Sequence, residues 1–519
     1  MSTAADGALA STGADATRAT RREWVGLAVL ALPCMLYSMD LTVLDLAVPS
    51  LSADLAPSSS ELLWIVDIYG FLVAGSLITM GTLGDRIGRR RLLLLGATAF
   101  GIASVLAAFS TSAAMLIATR ALLGVAGATL APSTLSLIRN MFHDPRQRTV
   151  AIGIWATSYS IGAAVGPLLG GVLLEHFWWG SVFLAGVPVM VLLRVLGPRL
   201  LPEFRDPQAG RLDVLSAALS LAAVLATIYG LKQTAEDGPG WLPGLCIVAG
   251  VAIGAAFVRR QRNLADPLID LRLFRAAAFT APLIVNALGL FVAFSAFLYT
   301  AQYLQLVLGL SPLRAGLWTL PSSLGFVVGS LLAPVLVRRL RPAFVMAGGL
   351  LVGAAEFGAL SQLDGAPGLA LLVAGSALLG LGIAPVVTLS TDLIVGAAPA
   401  ERAGAASAIS ETGAELGGAL GIAILGSVGI AVYRAAMGRA MPDGLPLEAA
   451  EAARNTLGGA AAVAEMLPGT LGGELLGAAG RAFAQGMEVT AVTSAVLAIA
   501  LAAFAAVLLR HVRAGPRQP

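Results

Sequence analysis

The chain has 519 residues, of which 57% are hydrophobic and only 12% charged, with a formal net charge of +3. Soluble domains are about 45–50% apolar and about 25% charged, so this composition excludes an ordinary soluble protein and indicates one that crosses a membrane many times. Lys232 is the single lysine among 33 basic residues, which argues against a lysine-rich nucleic-acid surface.

The chain begins with a polar segment, and we expect residues 1–23 to be a disordered cytoplasmic tail. The apolar run that follows lacks the short apolar region and cleavage site of a signal peptide, so we expect it to be retained as a membrane anchor. Cys34 and Cys246 both fall in apolar runs, so we expect no disulfide. The three histidines are far apart in sequence, and we expect no metal site and no cofactor.

Fourteen apolar runs approach the length of about 20 residues that a helix needs to cross a bilayer. They are 24–48, 62–82, 92–110, 113–138, 149–173, 178–197, 213–231, 241–258, 278–306, 312–337, 343–361, 368–395, 404–433 and 487–510. We refer to them as spans 1 to 14. The sequence therefore predicts an all-α polytopic membrane protein, and span 9 is long enough to hold a kink.

The arginines predict the orientation of these spans. Of the 33 basic residues, 26 lie in the termini or at the loops that follow even-numbered spans. Because basic residues concentrate in cytoplasmic loops, both termini are expected in the cytoplasm of a cell-membrane protein. The loop 434–486 on the opposite side is either a short helical hairpin or a disordered segment.

The run GTLGDRIGRRR, from Gly81 to Arg91, lies between spans 2 and 3. Its glycines allow helices to approach closely, and its acid is able to lock or release neighbouring helix ends, as a transporter needs at an inner gate. An ordinary basic loop is the alternative. The residues that we assign to this gate are Gly81, Gly84, Asp85, Arg86, Gly88 and Arg89.

A segment of span 4, Ala121 to Ile138, returns in span 12 as Ala377 to Ile394. An offset of eight spans keeps the related helices in the same orientation, which is typical of two parallel halves around a central path. The predicted units are a bundle at 24–197, a two-helix insertion at 198–276, a bundle at 277–510 that includes loop 434–486, and a cytoplasmic tail at 511–519.

With these features in place, the chain resembles the major facilitator superfamily, in its fourteen-helix drug:proton antiporter branch. The gate run, Leu116 to Ala128 of span 4 and Met39 to Pro49 of span 1 resemble motifs of that branch. The segments WIVDIYG and SETGAELG are similar to quaternary-ammonium and dye efflux pumps of the QacA and LfrA type. The resemblance implies a major facilitator fold in a 6+2+6 arrangement, and export of lipophilic cations in exchange for protons by alternating access.

Span 5 carries Gly162, Gly166 and Pro167, which resemble the antiporter motif of that family. In the family this feature is tied to the direction of export. Proline lacks a backbone N–H, so Gly166-Pro167 is expected to interrupt the helical hydrogen-bond ladder.

Several ionisable residues lie within the apolar spans, namely Asp40, Asp45, Asp67, Arg120, Glu356, Glu411 and Glu415. Each costs about 2.5–3.5 kcal/mol at the centre of a bilayer, so each is a functional candidate.

Asp67 is flanked by Trp64 and Phe71 on one helix stripe, which pairs a carboxylate with two aromatic faces. A desolvated organic cation favours that combination, and we assign these three residues to substrate binding. The alternative is an aromatic belt residue beside an acid at the outer rim.

Asp40 is the candidate proton carrier, or a site shared by proton and substrate. The family resemblance suggests that Arg120 lies near the acid of span 1 and modulates its proton release, with a structural ion pair as the alternative. Glu411 and Glu415 are one turn apart on span 13, so both are able to face one cavity. Glu411 matches the acid of the quaternary-ammonium pumps and is assigned to proton and cation binding, with Glu415 as its partner.

These features predict a proton-driven multidrug exporter that is not an enzyme and uses the proton motive force. Its partners are lipophilic cations, protons and the lipid bilayer, and we expect a monomer that binds no nucleic acid. A dedicated exporter of one metabolite or antibiotic, with the same fold, is the alternative.

Overall fold

The computed structural model describes residues 18–55, 57, 59–205, 213–237, 240–264, 267–310, 312–360, 368–399, 402–443 and 445–511, and these contain helices and no strand. The helices are α1 (Arg21–Leu55), α2 (Ser59–Ile87), α3 (Arg89–Ala108), α4 (Ala113–Gly127), α5 (Leu130–Met141), α6 (Pro145–His176), α7 (Ser181–Leu184), α8 (Gly186–Leu200), α9 (Val214–Asp237), α10 (Trp241–Asn263), α11 (Ala277–Gln302), α12 (Pro312–Leu336), α13 (Pro342–Leu360), α14 (Leu369–Ala397), α15 (Ala403–Ala440), α16 (Leu447–Asn455), α17 (Leu457–Met466) and α18 (Gly469–Leu508).

Within the described residues, twelve helical segments are long and apolar enough to cross a membrane. The other two predicted spans, 1 and 11, coincide with α1 and α13. The apolar part of α13, Pro342–Gly358, is shorter than these twelve, and several side chains of α1 lie outside the described part.

Two spans are not single regular α-helices. Span 4 consists of α4 and α5, which are separated at Ala128 and Thr129. Span 9 consists of α11 and a turn of π-helix at Tyr303–Val307, where the sequence allowed a kink.

The predicted loop 434–486 is largely helical, because α15 continues to Ala440 and α18 begins at Gly469. The predicted span 13 ends before the charge of Arg434, but a charged residue does not by itself end a helix. The short helices α16 and α17 pack against α15 and α18, and the Tyr433 hydroxyl donates to the Ala453 carbonyl at 2.8 Å. The structure therefore shows the helical alternative for this segment.

Helix pairing in the first group of spans recurs eight spans later. In the first group α1 packs on α6, α2 on α4, and α3 on α8. In the later group α11 packs on α15, α12 on α14, and α13 on α18. The sequence repeat between spans 4 and 12 thus has a counterpart in the packing.

The α1–α6 and α11–α15 contacts also use equivalent glycines. Gly162 of α6 lies directly against the backbone of Met35, and Gly417 of α15 lies against the backbone of Ala287. A Cβ at either glycine would clash with a carbonyl group, so glycine is required for both close approaches.

The remaining pair, α9 and α10, pack on each other, and α9 also lies against α2 and α15. The two groups of spans meet directly through α2 and α15, α5 and α15, α6 and α12, and α6 and α14. We use "basic end" for the end of the bundle that holds the turn from Gly81 to Arg91.

Candidate functional site

A buried ion pair joins α1, α2 and α4. Arg120 Nη1 donates to Asp40 Oδ2 at 2.6 Å, while its Nε and Nη2 donate to the carbonyls of Ile65 (3.0 Å) and Val66 (3.2 Å). Arg120 is only 1% exposed, and the ring centre of Tyr69 lies 4.7 Å from its guanidinium carbon. The structure brings Asp40 and Arg120 together and adds the α2 backbone as a partner that sequence reasoning missed.

The guanidinium group of Arg120 joins three helices through two kinds of acceptor. A planar guanidinium is able to serve several acceptors at fixed angles, and here it serves one carboxylate and two helix carbonyls. The bond to Asp40 of α1 is an ion pair, whereas the bonds to α2 are to neutral carbonyl groups. The attraction between α1 and α4 at this point therefore depends on the charge of Asp40, and the bonds between α2 and α4 do not.

An aromatic cluster of α1, α2 and α6 adjoins this ion pair, and we call Tyr37, Tyr69, Trp155 and Tyr159 the aromatic wall. The ring centres of Tyr37 lie 6.0 Å from Tyr69 and 5.7 Å from Tyr159, and Trp155 lies 4.8 Å from Tyr159. The Tyr37 hydroxyl donates to Glu415 Oε1 of α15 at 3.2 Å. The wall thus faces the acids of the second group of spans.

Glu411 and Glu415 are both half-buried on α15. Glu411 lies close enough to Cys34, Tyr37 and Tyr159 to interact with them electrostatically. Two carboxyl groups beside electron-rich rings favour an organic cation, because the charge attraction and the ring quadrupoles act together. Sequence reasoning named both acids but missed the wall, although Trp155 and Tyr159 are four residues apart on one helix.

The predicted aromatic stripe of α2 faces another direction. Trp64 and Phe71 are in edge contact, with ring centres 6.3 Å apart. The Trp64 ring also stacks on Tyr229 of α9 at 6.1 Å, and Phe71 packs in a cluster with Val224 of the same helix. The stripe therefore contacts the inserted pair rather than the aromatic wall. The side chains of Asp67 and Asp45 lie outside the described residues.

The gate run holds α2 against α15 at the basic end. A Cβ on Gly81 would lie 2.7 Å from the carbonyl oxygen of Gly404, so a larger residue does not fit without movement. Asp85 and Arg89 form a buried ion pair, and Asp85 Oδ2 accepts the backbone N–H of Ala405 at 3.3 Å. That N–H belongs to the first turn of α15, where an anion is favoured.

The rest of the gate run shapes the turn into α3. Gly88 has a φ of +112°, which favours glycine, and the Glu203 carboxylate lies beside it. Glu203 accepts the backbone N–H of Arg90 at 3.1 Å. Gly84 packs against the guanidinium group of Arg89, and Arg86 is half-buried in the last turn of α2.

A second contact closes the basic end between α6 and α14. Arg148 Nε donates to Asp392 Oδ1 at 2.8 Å, and the Thr149 hydroxyl donates to Asp392 Oδ2 at 2.6 Å. Close by, Gly153 of α6 approaches Ser330 of α12 so closely that a Cβ would lie 2.8 Å from its carbonyl oxygen. Both sets of contacts join the first group of spans to the second.

The antiporter-like segment lies within one continuous helix. Helix α6 runs from Pro145 to His176 and passes through Gly166-Pro167, where the proline leaves one gap in the hydrogen-bond ladder. A proline removes a single hydrogen bond, and packing of α6 on α1 through Gly162 holds the helix together. Gly166 is buried, and the side chain of Pro167 lies outside the described part.

Comparisons with known proteins agree with this architecture. A family model described as Major Facilitator Superfamily matches residues 30–422. The chain is 45% identical over 495 residues to the multidrug efflux pump LfrA of Mycolicibacterium smegmatis, covering 95% of this chain and 98% of that protein. It is 39% identical over 467 residues to the methyl viologen resistance protein SmvA of Salmonella typhimurium, covering 89% of this chain and 93% of that protein.

A solved structure shows a similar fold. The human organic anion transporter MFSD10 (TETRAN) superposes with a TM-score of 0.59 at 16% identity, covering 93% of this chain and 99% of that one. At this identity the likeness concerns the fold alone.

Proposed function

Because the chain belongs to the Major Facilitator Superfamily, we propose that it is a proton-coupled multidrug efflux antiporter that exports lipophilic cations by alternating access. Relatives named as a multidrug efflux pump and a methyl viologen resistance protein support this activity. The observation that carries it is the contact of Tyr69 with both Arg120 and Tyr37, at 4.7 Å and 6.0 Å. A single ring thereby connects the ion pair of Asp40 to the aromatic wall.

The exchange of a cation for a proton follows from the positions of the acidic side chains. A cation occupies the space between the aromatic wall and the two acids of α15, Glu411 and Glu415. A proton on Asp40 releases its attraction to Arg120, shifts α1 relative to α4, and disturbs the wall through Tyr37. Proton and cation thus stabilise different arrangements of the same helices, which is the condition for exchange.

The architecture in this proposal has fourteen spans, with α1 and α13 added to the twelve that length and composition identify. Spans 1–6 and 9–14 form the two halves, and α9 with α10 form the inserted pair. The recurring helix pairs support this division.

The basic end faces the cytoplasm in this proposal, together with both termini, because arginines concentrate there. The contacts of Asp85 with Ala405 and of Arg148 with Asp392 then close the cytoplasmic side. The conformation described is one whose inner gate is shut. The protein acts as a monomer in the cell membrane, and its energy source is the proton motive force.

Ethidium export tests the function. De-energised cells that carry wild-type protein are expected to export ethidium after addition of glucose, and an uncoupler stops the export. Asp40→Asn is expected to fail for lack of a titrating carboxyl. Asp67→Asn tests the separate sequence prediction that Asp67 of the α2 stripe binds the cation, and loss of export there would add that stripe to the path of the cation. Asp54→Asn is the matched control, because Asp54 is an exposed acid of α1 that accepts a bond from Trp179 instead.

The opposite results are equally informative. A wild-type protein that moves no ethidium would favour a dedicated exporter of one metabolite. Export by Asp40→Asn at the wild-type rate would remove Asp40 from proton coupling.

A further inference from the structure

Helix α13 carries an acid that none of the contacts above uses. Glu356 is 0% exposed, and both carboxyl oxygens lack a hydrogen-bond partner among the described residues. Buried polar groups are nearly always hydrogen-bonded, so an isolated carboxyl group in a membrane helix calls for an explanation.

The helices that pack on α13 offer this acid no counter-charge. They are α14 and α18. The charged residue of α14 is Asp392, which is bonded to Arg148 at the basic end. Those of α18 are Glu474, Arg481 and Glu488, and all three are exposed.

No hydroxyl group of these helices donates to the Glu356 oxygens among the described residues. Ser376 of α14 donates to the carbonyl of Val373 at 3.0 Å, and Thr490 of α18 donates to that of Gly486 at 3.1 Å. An ionised carboxylate at Glu356 would therefore be buried with neither a cation nor a donor. Such a charge is far more costly than an unbonded neutral acid, so Glu356 carries its proton in this conformation.

The contact of α13 with α14 links Glu356 to the basic end. Gly349 of α13 and Gly382 of α14 bring the two backbones close together, with the Val352 and Val386 side chains packed beside them, and we call this contact the α13–α14 seam. Glu356 lies about two helical turns from Gly349 on the same face of α13. Helix α14 also carries Asp392, whose bond to Arg148 closes the basic end, so a movement of α14 when that end opens changes the seam.

We propose that Glu356 is a second proton-binding site of the antiporter, in the C-terminal half and separate from Asp40. Its carboxyl group holds a proton while the basic end is closed. It releases that proton to water after the end opens and the α13–α14 seam admits solvent. This inference rests on the proposed function and fixes its charge balance: two protons enter for each cation that leaves, so export of a monovalent cation moves one net charge inward.

Transport measurements on liposomes that contain the full-length protein distinguish the two proposed proton sites. Ethidium transport is measured with a pH gradient alone and with a membrane potential alone, set by potassium and valinomycin. With one net charge per cycle, a potential of about 100 mV shifts the ethidium gradient about 50-fold. Glu356→Gln is expected to lose this response to potential and to keep transport driven by the pH gradient, because one proton against one monovalent cation moves no net charge.

Glu488→Gln is the matched control, since it makes the same change at an exposed acid of α18. It is expected to respond to both gradients. If Glu356→Gln still responds to potential as wild type does, the second site is not Glu356. A wild type that responds to the pH gradient but not to potential also overturns the proposal. A wild type that exchanges no ethidium for protons contradicts the proposed function itself.

A labelling experiment on wild type covers the case in which Glu356→Gln does not fold. Carbodiimides react with protonated carboxyl groups in apolar surroundings, and mass spectrometry of the digested protein locates the adduct. An adduct on Glu356 that weakens when the cytoplasmic gate is opened supports the site. Labelling that spares Glu356 overturns it.

Discussion

At the scale of single residues, the site depends on side chains that contact two neighbours at once. Arg120 bonds to Asp40 and to the backbone of α2, and Tyr69 lies against both Arg120 and Tyr37. Tyr37 then reaches across to Glu415 of the other half. Four successive contacts therefore connect Asp40 to Glu415.

Tyr37→Phe tests the last of these contacts. The ring remains, but Glu415 loses a hydrogen bond of a kind that contributes about 1.5–3 kcal/mol when one partner is charged. Because Glu415 is only half-buried, we expect the lower part of that range, which corresponds to a rise of about tenfold in the ethidium concentration for half-maximal export.

Tyr433→Phe is the control for that substitution, because the Tyr433 hydroxyl bonds to Ala453 in the helices beyond α15. It should leave the half-maximal concentration unchanged. Equal values for Tyr37→Phe and wild type would show that other groups orient Glu415.

At the scale of helices, glycines decide which pairs come into backbone contact. Gly162 joins α6 to α1, Gly417 joins α15 to α11, and Gly81 joins α2 to α15. The first two lie within a half, whereas the third lies between the halves. Substitution at Gly81 thus acts on the gate rather than on the stability of one half.

Gly81→Ala is expected to favour the conformation with an open basic end. The new methyl group would lie 2.7 Å from the carbonyl oxygen of Gly404, and relief of that clash requires α2 and α15 to separate. We expect slower ethidium export and faster labelling of a cysteine at Ser407, a buried residue of α15 near this contact, by a maleimide supplied from the cytoplasmic side.

Gly70→Ala provides the comparison, because it is the same substitution on the same helix and nothing lies within 4 Å of the added carbon. In Gly70→Ala, the rate of ethidium export and the rate of maleimide labelling should both remain at the wild-type level. If the two alanine variants behave alike, the α2–α15 contact does not control the gate.

At the scale of the whole molecule, several contacts hold the two groups of spans together at the basic end. They include the Asp85–Ala405 contact of α2 with α15 and the ion pair of Arg148 with Asp392 between α6 and α14. These contacts must break before the basic end opens. Their strength sets the balance between the two conformations, and a contact that is too strong slows the cycle as much as one that is lost.

A charge reversal tests the second contact. Arg148→Asp and Asp392→Arg are each expected to reduce export, since each places two like charges together at a site where the side chains are 13% and 12% exposed. The double variant restores an ion pair and should recover much of the rate. Recovery stays incomplete because the Thr149 hydroxyl, which donates to the Asp392 carboxylate in wild type, loses that acceptor when residue 392 is an arginine. Additive losses in the double variant would show that the pair does not act as a unit.

The sequence alone determined that this chain is a helical membrane protein, because a helix in a bilayer satisfies its own backbone and needs only a long apolar run. It also identified Asp40, Arg120, Glu411 and Glu415 as candidates, because a charge within such a run is visible without any knowledge of the fold. The family resemblance added the expectation that Arg120 lies near the acid of span 1. The sequence left loop 434–486 open between a helical hairpin and a disordered segment, and α15 and α18 extend into it because a charged residue such as Arg434 does not by itself end a helix.

Only the tertiary structure decided which spans touch. It joined Tyr37 of α1 to Tyr159 of α6, and it placed Trp64 on Tyr229 of the inserted pair instead of beside the wall. It also showed that Glu356 has no partner among the described residues. The sequence of a span is equally apolar whether a given face of its helix contacts lipid or another helix. Contacts between residues a hundred positions apart therefore depend on packing, which the local composition of the chain does not encode.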